Sequence, residues 1–266
     1  MNENDISDKR GIKEFRGITF SKFKKAAAKK ELLNYLSCGK IEQACYWSAE
    51  YVCAGHYADM WEIILLFCSK HIHLGNPKLP IYLDLRLNHF KDILNGGYQD
   101  NILKMRNNNK IRKLFAEIMC VLCISKKKHT FDNIRVDKED FVITKLQHQL
   151  KADSTKYATV IFKKEDPTEL FIGINEFYFQ ILKSQNNGSK ACYWLEWILG
   201  FEDICKKEKK KYSGARRSNM PVEGQFQKDI IWMIWECLLL EANERSKGLH
   251  KICLLYTSPS PRDLMR

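Results

Sequence analysis

The chain has 266 residues, 45% of them apolar and 29% charged, and a formal net charge of +12. That balance belongs to an ordinary globular protein, long enough for one large domain or two small ones with real cores. It contains no apolar run of the roughly 18 residues that a membrane span needs, and Met1–Arg10 is polar, so neither a transmembrane helix nor a secretory signal is expected.

Residues 1–19 are polar, carry Gly11 and Gly17, and read as a flexible lead-in. Ser21 is placed to cap a helix over Lys22–Leu36, rich in Ala, Lys, Glu and Leu and ended by Gly39. A second helix is predicted over Lys40–Ala54, stopping at Gly55. A third covers Ala58–Ile72, with Asp59 and Glu62 in its first turn and Lys70 and His71 in its last, as the helix dipole favours. Asn76-Pro77 opens a fourth helix, Leu79–Leu94, halted by Gly96-Gly97. A fifth spans 109–125, where Ile111, Leu114, Phe115, Ile118, Met119 and Leu122 recur at helical spacing.

Residues 131–165 read as a connector, with a short helix over Lys138–Leu150 and a weakly alternating strand at Tyr157–Phe162. Helices resume at Thr168–Lys183, Ser189–Lys207 and Gln225–Arg245, the last with Ile230, Ile231, Ile234, Trp235, Leu238 and Leu239 on its apolar face. The expected fold class is mostly α, in two helical halves, 20–130 and 166–250. Residues 254–266, which include Leu254-Leu255-Tyr256-Thr257-Ser258-Pro259-Ser260-Pro261-Arg262-Asp263, look like a translated sequencing adapter and are set aside.

One word occurs twice. Ala44-Cys45-Tyr46-Trp47 returns as Ala191-Cys192-Tyr193-Trp194 in a chain with only six tryptophans. Each copy follows a helix and a glycine, Gly39 or Gly188, and precedes an apolar stretch ending near Gly55 or Gly200, a pattern compatible with internal duplication. On a helix Trp47 and Tyr51 share one side, Cys45, Ser48 and Val52 another, and small Ala44, Ser48 and Ala49 admit a neighbour. Such a helix is expected to be buried nearly all round. The aromatic pair is then core rather than a ligand or partner contact, and Trp47→Ala would cost about 3–5 kcal/mol.

Residues 20–130 resemble, in order, the C-terminal helical domain of the replication-associated recombination ATPases, the MgsA/RarA family of AAA+ proteins. The matching positions are Ala44, Tyr46, Trp47, Ala49, Ala54, Gly55, Ile63, Ser69, Ile72, Leu74, Asn76 and Pro77, with Ala116, Leu122, Ser125 and Lys126 further on. The chain also looks like proteins of giant DNA viruses. The resemblance implies a clamp-loader-collar-like helical fold, oligomerisation, and a setting in DNA replication or repair, with self or a replication ATPase as partner. The chain has no G-x-x-x-x-G-K-[ST] phosphate loop, so ATP hydrolysis is not carried over and no cofactor is expected.

The chemistry candidates are few. Ten cysteines lie mostly inside apolar helical patterns, as small buried hydrophobes of an intracellular, reducing compartment. Cys68, His71 and His73 form a C-x-x-H-x-H cluster that lacks a second ligand pair nearby in sequence, so a metal is not expected there. Cys120-x-x-Cys123 falls within an apolar helix pattern, unlike a redox motif at an exposed helix start. Glu50, Asp59, Glu62, Asp84 and Glu117 are scattered over helices. A metal-dependent nucleic-acid-processing enzyme would need several to converge.

The strongest binding signal is Lys206, Lys207, Lys209, Lys210, Lys211, Tyr212, Arg216 and Arg217, seven cations in twelve residues with one aromatic. The cations suit phosphates and Tyr212 an unpaired base, against the plain alternative of a solvated helix end. The reading is a non-catalytic accessory or assembly protein that contacts nucleic acid through this run. The alternatives are a carboxylate-metal enzyme and a pure protein-binding module.

Overall fold

The computed structural model describes residues 6, 8–98, 101–129, 131, 133–182, 184–210, 212–220, 222, 224 and 226–245. The adapter-like residues 254–266 and Lys211 lie outside them. Among the described residues the fold is mostly α, as the periodicities predict, and the strand-like pairing is confined to one bridge, Ile18–Lys24. The chain divides after His129 into two compact units.

The first unit contains α1 (Lys25–Ser37), α2 (Ile41–Cys53), α3 (Tyr57–Phe67), α4 (Leu79–Asn95), α5 (Ile102–Asn107) and α6 (Asn109–Ile124). Helix α2 packs on α1, α3 and α6, and α4 closes on α6. The centre is aromatic: Tyr57, Trp61, Phe90 and Phe115 are buried with ring centroids 5.5–6.1 Å apart. Helices α1 and α2 end alike. Gly39 and Gly55 take φ of +68° and +80°, and the next amides, Lys40 and His56, donate back to Tyr35 and Tyr51 carbonyls at 2.9 Å. This is the left-handed glycine stop the sequence predicts.

Three expectations change in this unit, and one helix has no counterpart among the predicted elements. Helix α1 begins at Lys25, and Ser21 does not cap it; the Ser21 hydroxyl instead donates to Glu50 at 2.7 Å. The supposed lead-in is packed, with Phe15 and Thr19 fully buried and Arg106 donating to the Arg10 carbonyl at 2.7 Å beneath the Phe15 ring. Helix α3 stops at Phe67, and Cys68–Ile72 form a wider π turn that leaves His73 at φ +32°. Helix α5 is too short to show a period in sequence, and it is fixed by the Asn101 side chain, which accepts from the Lys104 amide at 2.9 Å.

The second unit contains α7 (Lys156–Thr159), α8 (Phe171–Ile181), α9 (Gly188–Lys207) and α10 (Ile231–Arg245), with α8 packed on α7, α9 and α10. Residues 131–165, expected as a connector, are built into this unit. The buried Glu176 carboxylate accepts from the Lys151 and Ala152 amides at 2.9–3.0 Å. Asn175 accepts from the Ala158 amide at 3.0 Å and donates to the Ser154 carbonyl at 2.8 Å. The strand expected at Tyr157–Phe162 is a helical turn, because these α8 side chains hold its backbone and Tyr157 packs on Phe179 at 5.2 Å. Phe141 packs on Trp197 and Phe201, over Gly200, where a Cβ would come within 2.8 Å of the Phe141 ring.

Candidate nucleic-acid interface

Helix α9 delivers the basic run. Lys206, Lys207, Lys209 and Lys210 are exposed at and beyond its C-terminus. Two carry their own counter-ions: Lys206 pairs with Glu202 at 2.6 Å and Lys210 with Glu208 at 2.7 Å. Last-turn lysines also suit the carbonyl end of the helix dipole, so Lys206 and Lys207 have a structural reason to be there. Lys209 does not. The Lys209 amide donates to Lys206 and the Lys210 amide to Cys205, the same closing bonds as in α1 and α2, but the left-handed position is held by lysine at φ +58° instead of glycine.

The end of the run turns inward, which corrects two of the predicted contacts. Arg217 is fully buried. It donates to both Asp166 oxygens at 2.5 and 2.7 Å, to Glu236 at 3.0 Å, and to the Ala215 and Ile161 carbonyls at 2.9 and 3.3 Å. These occupy all five guanidinium N–H groups, leaving none for a phosphate. Tyr212 is half-buried against Phe201 at 5.8 Å, and burial raises its pKa, so its ring packs inside the unit rather than under a base. Arg216 remains exposed, its Nε donating to Gln227 at 2.6 Å.

The two copies of the repeated word occupy the same position in their helices and differ in burial. Ala44 and Ala191 are each the fourth residue, in α2 and α9, and both are buried. Each Tyr–Trp pair meets edge to face at 5.3 Å. Trp194 is 0% exposed and Tyr193 6%, and Trp197 beside them donates its indole N–H to the Asp140 carbonyl at 2.8 Å. In the first copy Tyr46 is 50% exposed and Trp47 half-buried, while Tyr51, the aromatic that shares Trp47's side, is 1% exposed, so the core expectation holds for Tyr51 and fails for Tyr46. Of the other motif positions, Ala49 and Pro77 are exposed, while Gly55 and Asn76 are half-buried, Asn76 donating to Ser125 at 3.0 Å.

Phe23, 41% exposed, lies against Trp47 at 5.1 Å, a position that neither periodicity nor motif marks. A tight loop puts it there: the Thr19 amide donates to the Phe23 carbonyl at 2.8 Å and Lys22 turns at φ +68°. Glu50 pins the loop, accepting from the Thr19 hydroxyl, the Ser21 amide and the Ser21 hydroxyl at 2.7–2.9 Å. The readable signal was Lys22-Phe23-Lys24, an aromatic between two cations at the head of a run, 22–30, with five lysines and no acid.

The remaining candidates are structural. Cys68 is buried and its thiol is pushed up to about 12 by desolvation, while His71 is exposed and stacks on Phe67 at 5.0 Å. His73 is buried, and desolvation, His129, Lys128 and His71 together lower its pKa to about 4. Burial raises Cys123, and it raises Cys45 to about 11, which describes packed thiols rather than reactive ones. Asp59 pairs with Lys25 at 2.6 Å, Glu117 with Arg86 at 3.4 Å, Asp84 accepts from Asn88 at 3.3 Å, and Glu62 is buried. Among the described residues no three His, Cys, Asp or Glu side chains converge where they could hold a metal. Lys127, between two exposed lysines, turns inward and donates to the Leu122, Cys123 and Ser125 carbonyls at 2.8–3.1 Å, closing α6. No described helix is long and apolar enough to cross a membrane.

No protein-family model, curated protein or solved structure matches the chain.

Proposed function

We propose that this chain is a non-catalytic helical accessory protein that contacts nucleic acid through the C-terminal end of α9. The observation that carries the reading is the exposed set Lys206, Lys207, Lys209 and Lys210, with Lys209 held in a backbone conformation that glycine would fill with less strain. A cation kept at such a position fits a phosphate contact better than a cap. The buried carboxylates favour the non-catalytic half: Glu50, Asp166 and Glu176 each hold the chain's own loops or cations by the bonds above. The collar-like resemblance of residues 20–130 supports assembly with itself or with a replication ATPase in DNA replication or repair.

The test is binding of labelled single-stranded and duplex oligonucleotides between about 50 and 200 mM salt. The double variant Lys207→Glu/Lys209→Glu should bind both more weakly, and lower the slope of log K against log salt by about one for each phosphate no longer neutralised. A folded wild-type chain that binds neither at the lowest salt would overturn the reading.

A further inference from the structure

The exposed rings of the first unit have a chemistry that the α9 lysines lack. Phe23 and Tyr46 are 41% and 50% exposed, and each meets Trp47 edge on, at 5.1 Å and 66° and at 5.3 Å and 78°. Trp47 is half-buried and braces both. The three rings therefore form one contiguous aromatic surface, not scattered apolar residues of the kind any protein exposes. Where the same word recurs in α9, the pair is closed over by the unit's own packing; in α2 it is left open.

The surroundings select the occupant. Lys22 and Lys24 flank Phe23, are exposed, and form no ion pair among the described residues. Lys25 is held by Asp59 at 2.6 Å. Two carboxylates lie one turn from Tyr46 on α2: Glu42 is exposed, and Glu50, beside the Tyr46 hydroxyl, is buried and spends both oxygens on Thr19 and Ser21. Open rings beside two free cations, with one exposed acid against them and the buried carboxylate occupied by the loop, match a ligand that offers planar faces and phosphates together. In a duplex those faces are already stacked on each other, whereas in a single strand they are available.

We propose that Phe23 and Tyr46, braced by Trp47 and flanked by Lys22 and Lys24, form a stacking platform for single-stranded nucleic acid. Phe23 and Tyr46 take unpaired bases on their faces, Lys22 and Lys24 contact the adjoining phosphates, and Trp47 acts as a positioning residue. The platform rests on the nucleic-acid reading above but uses different residues in a different unit, so the two can fail separately.

The experiment measures affinity of the full chain for a labelled single-stranded 20-mer, an abasic 20-mer with the same backbone, and a duplex. Tyr46→Ala and Phe23→Ala, both at surface positions, should each weaken single-strand binding roughly tenfold or more, with duplex binding unchanged. Tyr46→Phe, which keeps the ring, should bind like wild type, and the abasic strand, which removes both stacks, should bind wild type at least as weakly as the intact strand binds Tyr46→Ala. The abasic comparison needs no variant and stands even if one misfolds. If the alanine variants leave single-strand affinity unchanged while Lys207→Glu/Lys209→Glu lowers it, the platform is overturned and the α9 reading stands. Equal loss on single strand and duplex, an abasic strand bound as tightly as the intact one, or alanine variants that change only the oligomeric state in light scattering, would each overturn it too. If no nucleic acid binds, both readings fall.

Discussion

Arg217 and Asp166 form a two-bonded ion pair with neither side chain exposed to solvent. Burial alone would raise the Asp166 pKa, but hydrogen bonds from Arg217 and from the Lys163 and Ala215 amides outweigh it and hold the carboxyl below its ordinary range. The pair ties the 161–166 segment to the 214–217 turn and to α10 through Glu236.

Removing the cation should therefore be severe. Arg217→Ala leaves a buried carboxylate without its partner and is expected to cost about 3–5 kcal/mol in chemical denaturation. Arg217→Lys should recover little, because an ammonium cannot reproduce the two-pronged contact. The folded pKa of Asp166 is depressed, so the stability it contributes is present above the unfolded value and is lost as pH falls through the folded one. Acid unfolding of Asp166→Asn/Arg217→Met should show a shallower dependence in that range.

The repeated word separates two tryptophans that sequence alone equates. Trp194 has no solvent exposure, and Trp194→Ala should cost about 3–5 kcal/mol as a core truncation. Trp47 is half-buried, and Trp47→Ala should cost about 1–2 kcal/mol, since only part of its surface leaves water on folding. Equal losses for the two in urea titrations would show that the α2 word is as enclosed as the α9 word.

Much of the fold is legible in the chain because it follows from local rules. Helical periodicity and Gly39 and Gly55 place α1, α2 and α6 within a few residues. What is not legible depends on partners distant in sequence. Ser21 has the chemistry of a helix cap, yet Glu50, 29 residues away, claims it. Arg217 looks like one more cation in a basic run until Asp166, 51 residues away, takes it inside. The pattern that identified the word in α2 also could not say which side of the helix would be covered. Packing of α2 against α1, α3 and α6 buries Ala44 and Ser48 and leaves Tyr46 out.

His73 should make the first unit acid-sensitive. Neither ring nitrogen has a hydrogen-bond partner among the described residues, and burial with His129, Lys128 and His71 nearby depresses its pKa to about 4. The folded state thus prefers the neutral ring, while the unfolded state protonates near 6.5. Stability is full above about 6.5 and declines as pH falls toward about 4, by an amount on the order of 3 kcal/mol. Thermal melts across that window should fall less steeply for His73→Asn. Parallel curves for the two proteins would remove His73 as the sensor.

Lys209 sets stability against binding at a single residue. Its backbone takes φ +58° at the end of α9, where a side chain costs about 1 kcal/mol relative to glycine. Gly39 and Gly55 fill the equivalent positions after α1 and α2. Lys209→Gly should therefore raise stability by about 0.5–1 kcal/mol in denaturant titration, with the helix-closing bonds to Cys205 and Lys206 intact. If Lys209 contacts a phosphate, the same variant should weaken nucleic-acid binding and lower its salt slope by about one. A more stable protein with a lower affinity is an outcome that a solvated helix end does not produce. A gain in stability with no change in affinity or slope would mean that Lys209 is an imperfect cap and that any phosphate is held by its neighbours.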